Sequence, residues 1–237
     1  MVKCRFCLFF IGIVLIFLTA CQTNTDNSNR AENNVDYMTA SCTKDSVDEF
    51  MTFIGESELG GLSSEMKLDK EHCYNVTPLS VATRTDVKIF KFSDSCVSLA
   101  LIDGEVSSIC EAFGGYGFVN CVPWDYDGDG NLDLLIASSW GSGLHRSIIS
   151  VFNTSTKESI VVYDTSDTDN PSVDLVVGTA ASAASSKDLR DYPVVYTASI
   201  AAKNGNLADL SYTTADVIGS VVIENGAPVF KPIGDEA

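Results

Sequence analysis

The chain has little positive charge and few histidines. Its 237 residues include 15 Lys and Arg, 32 Asp and Glu, and two His, which gives a formal charge of −17. Nucleic acids and anionic lipid surfaces repel a chain this acidic, so we expect no nucleic-acid partner. The sequence also lacks a phosphate-cradling loop, a dinucleotide-binding fingerprint and a basic patch with aromatic residues. The excess of acids suits solubility and cation binding.

A long apolar run is absent except at the N-terminus. Residues 8–18 are apolar apart from Gly12, and Lys3 and Arg5 precede them. The run is shorter than the roughly 20 residues needed to span a bilayer. We therefore interpret residues 1–20 as a signal peptide, with a short uncleaved membrane anchor as the alternative.

The segment Leu-Thr-Ala-Cys that ends at Cys21 resembles the lipobox of bacterial lipoproteins. The resemblance implies cleavage before Cys21 and acylation of its thiol with chains such as palmitate. Two or more acyl chains anchor a protein stably, so the resemblance implies a lipid-anchored, extracytoplasmic protein of the cell membrane or outer membrane. Residues 21–40 are rich in Asn, Thr, Ser and Asp and predict a flexible tether. Residues 41–237 are long enough for a single domain with a sizeable core.

The number of cysteines after Cys21 is odd, so a disulfide framework would leave at least one without an intrachain partner. Cys110 and Cys121 flank a glycine-rich stretch and are our candidate disulfide, because the expected compartment permits disulfides. Buried thiols are the alternative. No paired C-x₂-C zinc pattern is present. The five cysteines are Cys42, Cys73, Cys96, Cys110 and Cys121.

The pattern of apolar residues predicts one short helix followed by an all-β domain. Val47, Phe50, Met51 and Ile54 would share one helix face, and Gly55 would end the helix. From about residue 80, short apolar segments alternate with turn signals and predict an antiparallel meander. The turn signals are Asp103-Gly104, Asn204-Gly205 and Asn225-Gly226, and predicted strands include residues 97–102, 105–112, 118–122, 134–138, 147–152, 159–163, 207–213 and 217–223.

Two architectures fit these strands. A closed propeller needs at least four four-stranded blades, whereas the strand pattern of this chain fills about three. We therefore expect either an incomplete propeller-like set of sheets or a β-sandwich.

The most informative segment is Asp125-Tyr126-Asp127-Gly128-Asp129-Gly130-Asn131-Leu132-Asp133. Four carboxylates this close would repel one another and raise their pKa values, and a hard divalent cation removes the conflict. Ca²⁺ takes six to eight oxygen ligands. Asp125, Asp127 and Asp129 occupy loop positions one, three and five, Asn131 offers a backbone carbonyl, and Asp133 ligates at position nine. An acidic turn without an ion is the alternative.

An EF-hand would need Glu at position twelve, where this chain has Ile136 in an apolar run that predicts a strand. The segment DYDGDGNLDLLIAS instead resembles the calcium loop of the FG-GAP repeats of integrin-α-type β-propellers. The preceding GGYGFVNCVPW, with Gly114, Gly115 and Gly117, resembles the glycine-rich approach to such a loop. The resemblance implies one structural Ca²⁺ and a binding or adhesion role at the cell surface.

Residues 140–146 form a second candidate region. Trp140, His145 and Arg146 lie close together among glycines, and Trp and Arg are frequent in binding sites. The aromatic residues Tyr116, Phe118, Trp124 and Tyr126 could stack on a carbohydrate, or pack in the core. An envelope hydrolase that uses Ser142 and His145 is an alternative function, although Gly141-Ser142-Gly143 is not the G-x-S-x-G elbow. We expect a binding protein without catalytic residues, and a purely structural envelope component is the third possibility.

Overall fold

The structure is a computed structural model that describes residues 41–56, 68–110, 113–179 and 193–234. Within these ranges the chain forms two helices, short 3₁₀ turns and twelve strands, which build three antiparallel sheets of four strands each. The predicted all-β fold with a short N-terminal helix is confirmed. The predicted signal peptide, Cys21 and the tether lie outside the described residues. No helix among the described residues is both long and apolar enough to cross a membrane.

Each sheet is a meander of four strands that follow one another along the chain. The helices are α1 (Val47–Glu56) and α2 (Leu79–Ala82), and the first sheet contains β1 (Cys73–Asn75), β2 (Lys88–Phe92), β3 (Ser98–Ile102) and β4 (Glu105–Ser108). The second sheet contains β5 (Gly117–Trp124), β6 (Asp133–Trp140), β7 (Arg146–Phe152) and β8 (Ser159–Asp164). The third sheet contains β9 (Asp174–Thr179), β10 (Pro193–Ala202), β11 (Leu210–Glu224) and β12 (Ala227–Pro232).

Strands β5, β6 and β7 of the second sheet are largely buried, and the edge strand β8 is more exposed. On one face, Leu134 and Ile136 pack in a cluster with residues of the first sheet. On the opposite face, Leu135 and Ala137 pack in a cluster with residues of the third sheet. Because neighbouring side chains of a strand point to opposite faces, a strand buried on both faces needs a continuous apolar run. This explains why β6 lacks the alternation of polar and apolar residues that a half-exposed strand would show.

Helix α1 covers the outer face of the first sheet. Val47, Phe50 and Ile54 are buried there, and the Phe50 ring stacks on Phe90 with 3.9 Å between ring centroids. The three sheets therefore pack face to face in chain order beneath the helix. Three consecutive meanders agree with the propeller-like alternative better than with a two-sheet sandwich.

Two of the three predicted turn signals form tight hairpins. Asp103-Gly104 joins β3 to β4 and Asn225-Gly226 joins β11 to β12, and all four residues have positive φ, as a two-residue hairpin requires. Asn204-Gly205 instead lies in a longer connection, in which Lys203 donates its backbone N–H to the Asp209 carbonyl.

The predicted strands at residues 207–213 and 217–223 are wrong in their boundaries, because they form the single strand β11. Between the two predicted segments, Thr214 pairs with Ala198 of β10, and the register then shifts on either side of Tyr196. A β-bulge lets a strand continue through such a shift. The sequence suggested a break there because the intervening residues carry no apolar pattern.

The structure contains no disulfide between Cys110 and Cys121. Cys121 is fully buried in β5, within the apolar cluster between the first and second sheets, and this burial raises the pKa of its thiol. Cys110 follows β4 and is half-buried at the margin of the same cluster. The side chain of Cys121 thus serves as a small apolar core group, as the alternative of buried thiols predicts.

Candidate metal centre

The acidic loop, residues 125–132, joins β5 to β6, and Asp133 is the first residue of β6. Asp125, Asp127 and Asp133 each place a carboxylate oxygen within 4.8 Å of the other two. Convergent carboxylate oxygens are the ligands that Ca²⁺ and other hard cations prefer. The arrangement can therefore hold a divalent cation, and it brings together three of the five predicted ligands.

The acidic loop is held in shape by its own backbone amides. The Asp125 carboxylate accepts hydrogen bonds from the N–H groups of Gly128 at 2.8 Å and Gly130 at 3.2 Å. Asp127 accepts from the N–H of Asp129 at 3.1 Å. Gly130 has a φ of 89°, a left-handed backbone conformation that glycine adopts without steric cost. These bonds point the amides inward and keep the carboxylates together without an ion pair.

Asp133 is the least satisfied of the three carboxylates. It is 1 % exposed, and its Oδ1 accepts a hydrogen bond from the Thr154 N–H at 2.9 Å. Its Oδ2 is buried and has no hydrogen-bond partner among the residues that the structure describes. Burial raises the pKa of Asp133 and the charges of Asp127 and Asp129 raise it further, while the backbone N–H groups of Thr154 and Tyr126 partly lower it. A buried oxygen without a donor costs about 1–3 kcal/mol, and a bound cation is the partner that would remove this cost.

Asp129 and Asn131 take a different orientation. The Asp129 carboxylate is turned toward Asn131, from which it accepts the backbone N–H at 2.7 Å and the amide Nδ2 at 3.0 Å. The Asn131 N–H lowers the pKa of Asp129, opposite to the rise expected for crowded carboxylates. The expected rise is therefore found at Asp133 and not at Asp129, because Asp129 is exposed and hydrogen-bonded. The structure does not group Asp129 with the three converging carboxylates.

Two residues that sequence reasoning missed contact the site from the turn between β7 and β8. Asn153 donates its amide Nδ2 to Asp127 Oδ2 at 3.0 Å. Thr154 donates its N–H to Asp133 and its hydroxyl to the Leu132 carbonyl at 3.1 Å. These residues follow the acidic loop by more than twenty positions, and the sequence shows only a polar turn there.

The glycines that resemble an approach to the calcium loop lie at the other end of β5. We call this region, residues 113–117 and 141–146, the glycine-rich end of the second sheet. The Gly115 N–H donates to the Gly141 carbonyl at 3.1 Å, and the Gly141 N–H donates to the Phe113 carbonyl at 2.8 Å. A Cβ on Gly117 would lie 2.0 Å from the Cys96 carbonyl oxygen. These glycines therefore allow backbone segments to pack closely. They do not shape the acidic loop, which lies at the opposite end of β5.

The predicted ligand-binding residues Trp140, His145 and Arg146 are brought together at the glycine-rich end. Trp140 and Arg146 pair across β6 and β7, with the guanidinium carbon 5.2 Å from the Trp140 ring centroid. The His145 ring meets the Tyr116 ring edge to face at 4.9 Å. Burial raises the pKa of Asp174 nearby, while the Ile200 N–H and His145 lower it. The length of the second sheet separates this group from the acidic loop.

The four aromatic residues proposed for carbohydrate stacking do not form one surface. Phe118 is fully buried in the core, and Tyr116 lies at the glycine-rich end. Trp124 ends β5 just before the acidic loop and Tyr126 lies within the loop, with 6.2 Å between ring centroids. Core packing, the alternative for these residues, holds for Phe118, and the other three are half-buried against the core between the second and third sheets: Tyr116, Trp124 and Tyr126.

Comparisons of the chain with protein-family models, with curated proteins and with solved structures found no match.

Proposed function

We propose that this chain is a lipid-anchored, extracytoplasmic β-domain that one Ca²⁺ stabilises and that acts in binding or adhesion at the cell envelope. The observation that supports it most is the Asp133 carboxylate, which is buried beside Asp125 and Asp127 and has an oxygen without a hydrogen-bond donor. Three converging carboxylates carry more negative charge than the loop amides neutralise, and a divalent cation supplies the missing charge.

The proposed role of the ion is structural. Asp125, Asp127 and Asp133 would hold it with side-chain oxygens and Asn131 with its backbone carbonyl, while Asp129 would add charge from the exposed side. The ion would link the acidic loop to the start of β6, a strand that is buried on both faces. Extracellular calcium modules bind in the 10⁻⁴–10⁻³ M range, so we expect millimolar Ca²⁺ to be needed.

The envelope location rests on the N-terminal segment. The resemblance of the Cys21 segment to a lipobox supports acylation, and the polar residues 21–40 would hold the domain away from the membrane. The binding role rests on the FG-GAP resemblance of the acidic loop and on the pairing of Trp140 with Arg146 at the glycine-rich end. A protein or carbohydrate at the cell surface is the proposed ligand.

The calcium site is tested by thermal unfolding of the full-length chain in EDTA and in millimolar Ca²⁺. A ligand that binds only the folded state stabilises it by about 2.7 kcal/mol at a hundredfold excess over Kd. We expect Ca²⁺ to raise the unfolding temperature of the wild type and not that of Asp127→Ala. An equal response of both proteins, or none in either, would reduce the loop to an acidic turn.

The binding role needs a separate experiment. Glycans and surface proteins of the envelope are immobilised, and retention of the wild type is compared with that of Arg146→Ala. We expect selective retention that the substitution weakens, because Arg146 and Trp140 form one contact pair. Retention of neither protein on any surface, with the calcium response intact, would favour a purely structural envelope component.

A further inference from the structure

The polar turn between β7 and β8, residues 153–156, contacts the proposed calcium site directly. It lies at the same end of the second sheet as the acidic loop and reaches two of the three converging carboxylates. The turn itself carries no acid that joins this group. Its contacts to Asp127, Asp133 and the Leu132 carbonyl are made by one amide side chain, one hydroxyl and one backbone N–H, and the Ser155 hydroxyl oxygen also accepts from Asn131 Nδ2 at 3.4 Å.

Asn153 is held so that its amide nitrogen faces Asp127. Its Oδ1 accepts the N–H groups of Ser155 at 2.9 Å and Thr156 at 2.7 Å, which leaves Nδ2 to donate. Nδ2 lies 3.0 Å from Asp127 Oδ2 and 3.5 Å from the Tyr126 hydroxyl. Asn153 is 5 % exposed, so its amide is shielded from water on the donor side, whereas Asp127 is exposed. Asn153 thus holds Oδ2 of Asp127 while the Asp129 N–H holds Oδ1, and the two bonds together fix the orientation of this carboxylate.

Thr154 acts on the other side of the site. Its N–H holds Oδ1 of Asp133, so that Oδ2 is the oxygen left without a donor. Its hydroxyl donates to the Leu132 carbonyl at 3.1 Å, which fixes the last residue of the acidic loop. One turn therefore forms hydrogen bonds both near the start of the acidic loop, at Asp127, and at its end, at Leu132 and Asp133.

From these contacts we infer that Asn153 and Thr154 are positioning residues for the calcium site and set its affinity. The inference rests on the proposed function. Groups that orient metal ligands reduce the ordering that binding must impose, and their loss costs about 10–100-fold in metal affinity. Asn153 does this without adding a fourth negative charge beside Asp127. The turn should therefore control calcium affinity although it supplies no ligand.

The test is Ca²⁺ titration of the full-length chain by calorimetry, together with thermal unfolding in EDTA. Asn153→Ser keeps an oxygen that can accept the turn N–H groups but cannot reach Asp127. We expect about tenfold weaker Ca²⁺ binding, with an unfolding temperature in EDTA within about 3 °C of wild type. Thr154→Val keeps the backbone N–H and removes the hydroxyl, and should weaken binding about threefold.

Thr156→Ala is the matched control, because it lies in the same turn and its side chain is exposed. Calcium binding by this variant should equal that of wild type. If wild type binds Ca²⁺, Asp127→Ala does not, and both Asn153→Ser and Thr154→Val bind within twofold of wild type, the positioning role is overturned and the calcium site stands. If wild type and Asp127→Ala titrate alike, the site itself fails and the inference with it. If Asn153→Ser does not fold, unchanged affinity of Thr154→Val alone overturns the positioning role.

Discussion

The two ends of the second sheet are built by opposite means. The acidic end, residues 125–133 with the turn at 153–156, brings carboxylates together and holds them with backbone and amide N–H groups. The glycine-rich end brings backbone segments together, and four of its glycines leave no room for a side chain: Gly114, Gly115, Gly117 and Gly141. The stability of the acidic end is therefore limited by repulsion between carboxylates, and that of the glycine-rich end by side-chain volume.

This difference determines which solution conditions should affect each end. Charge at the acidic end can be neutralised by a cation, so its stability should depend on Ca²⁺ and EDTA. Backbone contacts at the glycine-rich end involve no charge, so its stability should depend on side-chain volume and not on divalent cations. Substitutions at the two ends can separate these dependences.

The largest effect is expected for Gly117→Ala at the glycine-rich end. Gly117 has a φ of 65°, and a Cβ would lie 2.0 Å from the Cys96 carbonyl oxygen. Left-handed backbone costs about 1–2 kcal/mol for alanine, and a forced backbone shift adds roughly 1–3 kcal/mol. We expect the free energy of unfolding in urea to fall by about 3 kcal/mol or more, equally in EDTA and in Ca²⁺.

Gly143→Ala separates the two causes of this loss. Gly143 has a φ of 84° but nothing within 4 Å of its Cβ position, so only the backbone cost applies. We expect a loss of about 1 kcal/mol. Equal losses for Gly117→Ala and Gly143→Ala would contradict the role of close packing.

A smaller effect of opposite sign is expected for Asp133→Asn at the acidic end. The amide keeps an oxygen for the Thr154 N–H and removes a buried carboxylate that lies beside Asp127. We expect the free energy of unfolding in EDTA to rise by about 1–2 kcal/mol and the stabilisation by Ca²⁺ to disappear. Urea unfolding in both conditions measures the two effects.

Asp129→Asn is the comparison for that experiment. Its carboxylate is exposed and turned toward Asn131, so the variant should keep more of the calcium response than Asp133→Asn. A loss of stability for Asp133→Asn in EDTA would show that the carboxylate has a donor of its own.

The third effect concerns Lys91 and depends on pH. Lys91 is 1 % exposed and donates to the Phe118 carbonyl at 2.7 Å, next to Gly117. Burial lowers the pKa of Lys91 to about 8 from an ordinary 10.5, although the Cys110, Cys96 and Cys42 thiols partly oppose the shift. Between these values the unfolded chain binds more protons than the folded chain, so stability should rise with pH.

We expect the free energy of unfolding to increase above pH 8 by at most about 1.4 kcal/mol per pH unit, and Lys91→Met to abolish this increase. Urea unfolding at pH 7, 8 and 9 measures it. Buried thiols with a raised pKa, such as Cys73 at about 12, lower stability above pH 9 in both proteins and cancel in the difference. Lys88→Met, which removes a surface pair with Glu49, should leave the pH dependence unchanged. Identical pH profiles of stability for wild type and Lys91→Met would show that Lys91 does not cause the rise above pH 8.

Sequence reasoning predicted features that depend on neighbours along the chain. The helix at Val47–Glu56 follows from apolar spacing, and the hairpin at Asp103-Gly104 follows from residues that tolerate positive φ. The convergence of Asp125, Asp127 and Asp133 follows from a nine-residue spacing that a short loop can close by itself. Each of these patterns is local, so no knowledge of the sheets is needed.

Other features could not be predicted from the same patterns. The orientation of Asp129 depends on a hydrogen bond to Asn131 that competes with convergence. The strand β11 looks like two strands because its middle carries no apolar pattern. The role of Gly117 depends on Cys96, which the first sheet places against it.

The sequence by itself determined the acidic loop, the helix and the meander, because propensity and spacing act over a few residues. Only the tertiary structure decided that Asp133 is buried with an oxygen lacking a donor, and that Asn153 and Thr154 reach the site from another turn. Contacts between residues far apart in the chain depend on how the sheets pack, and packing is a property of the whole core.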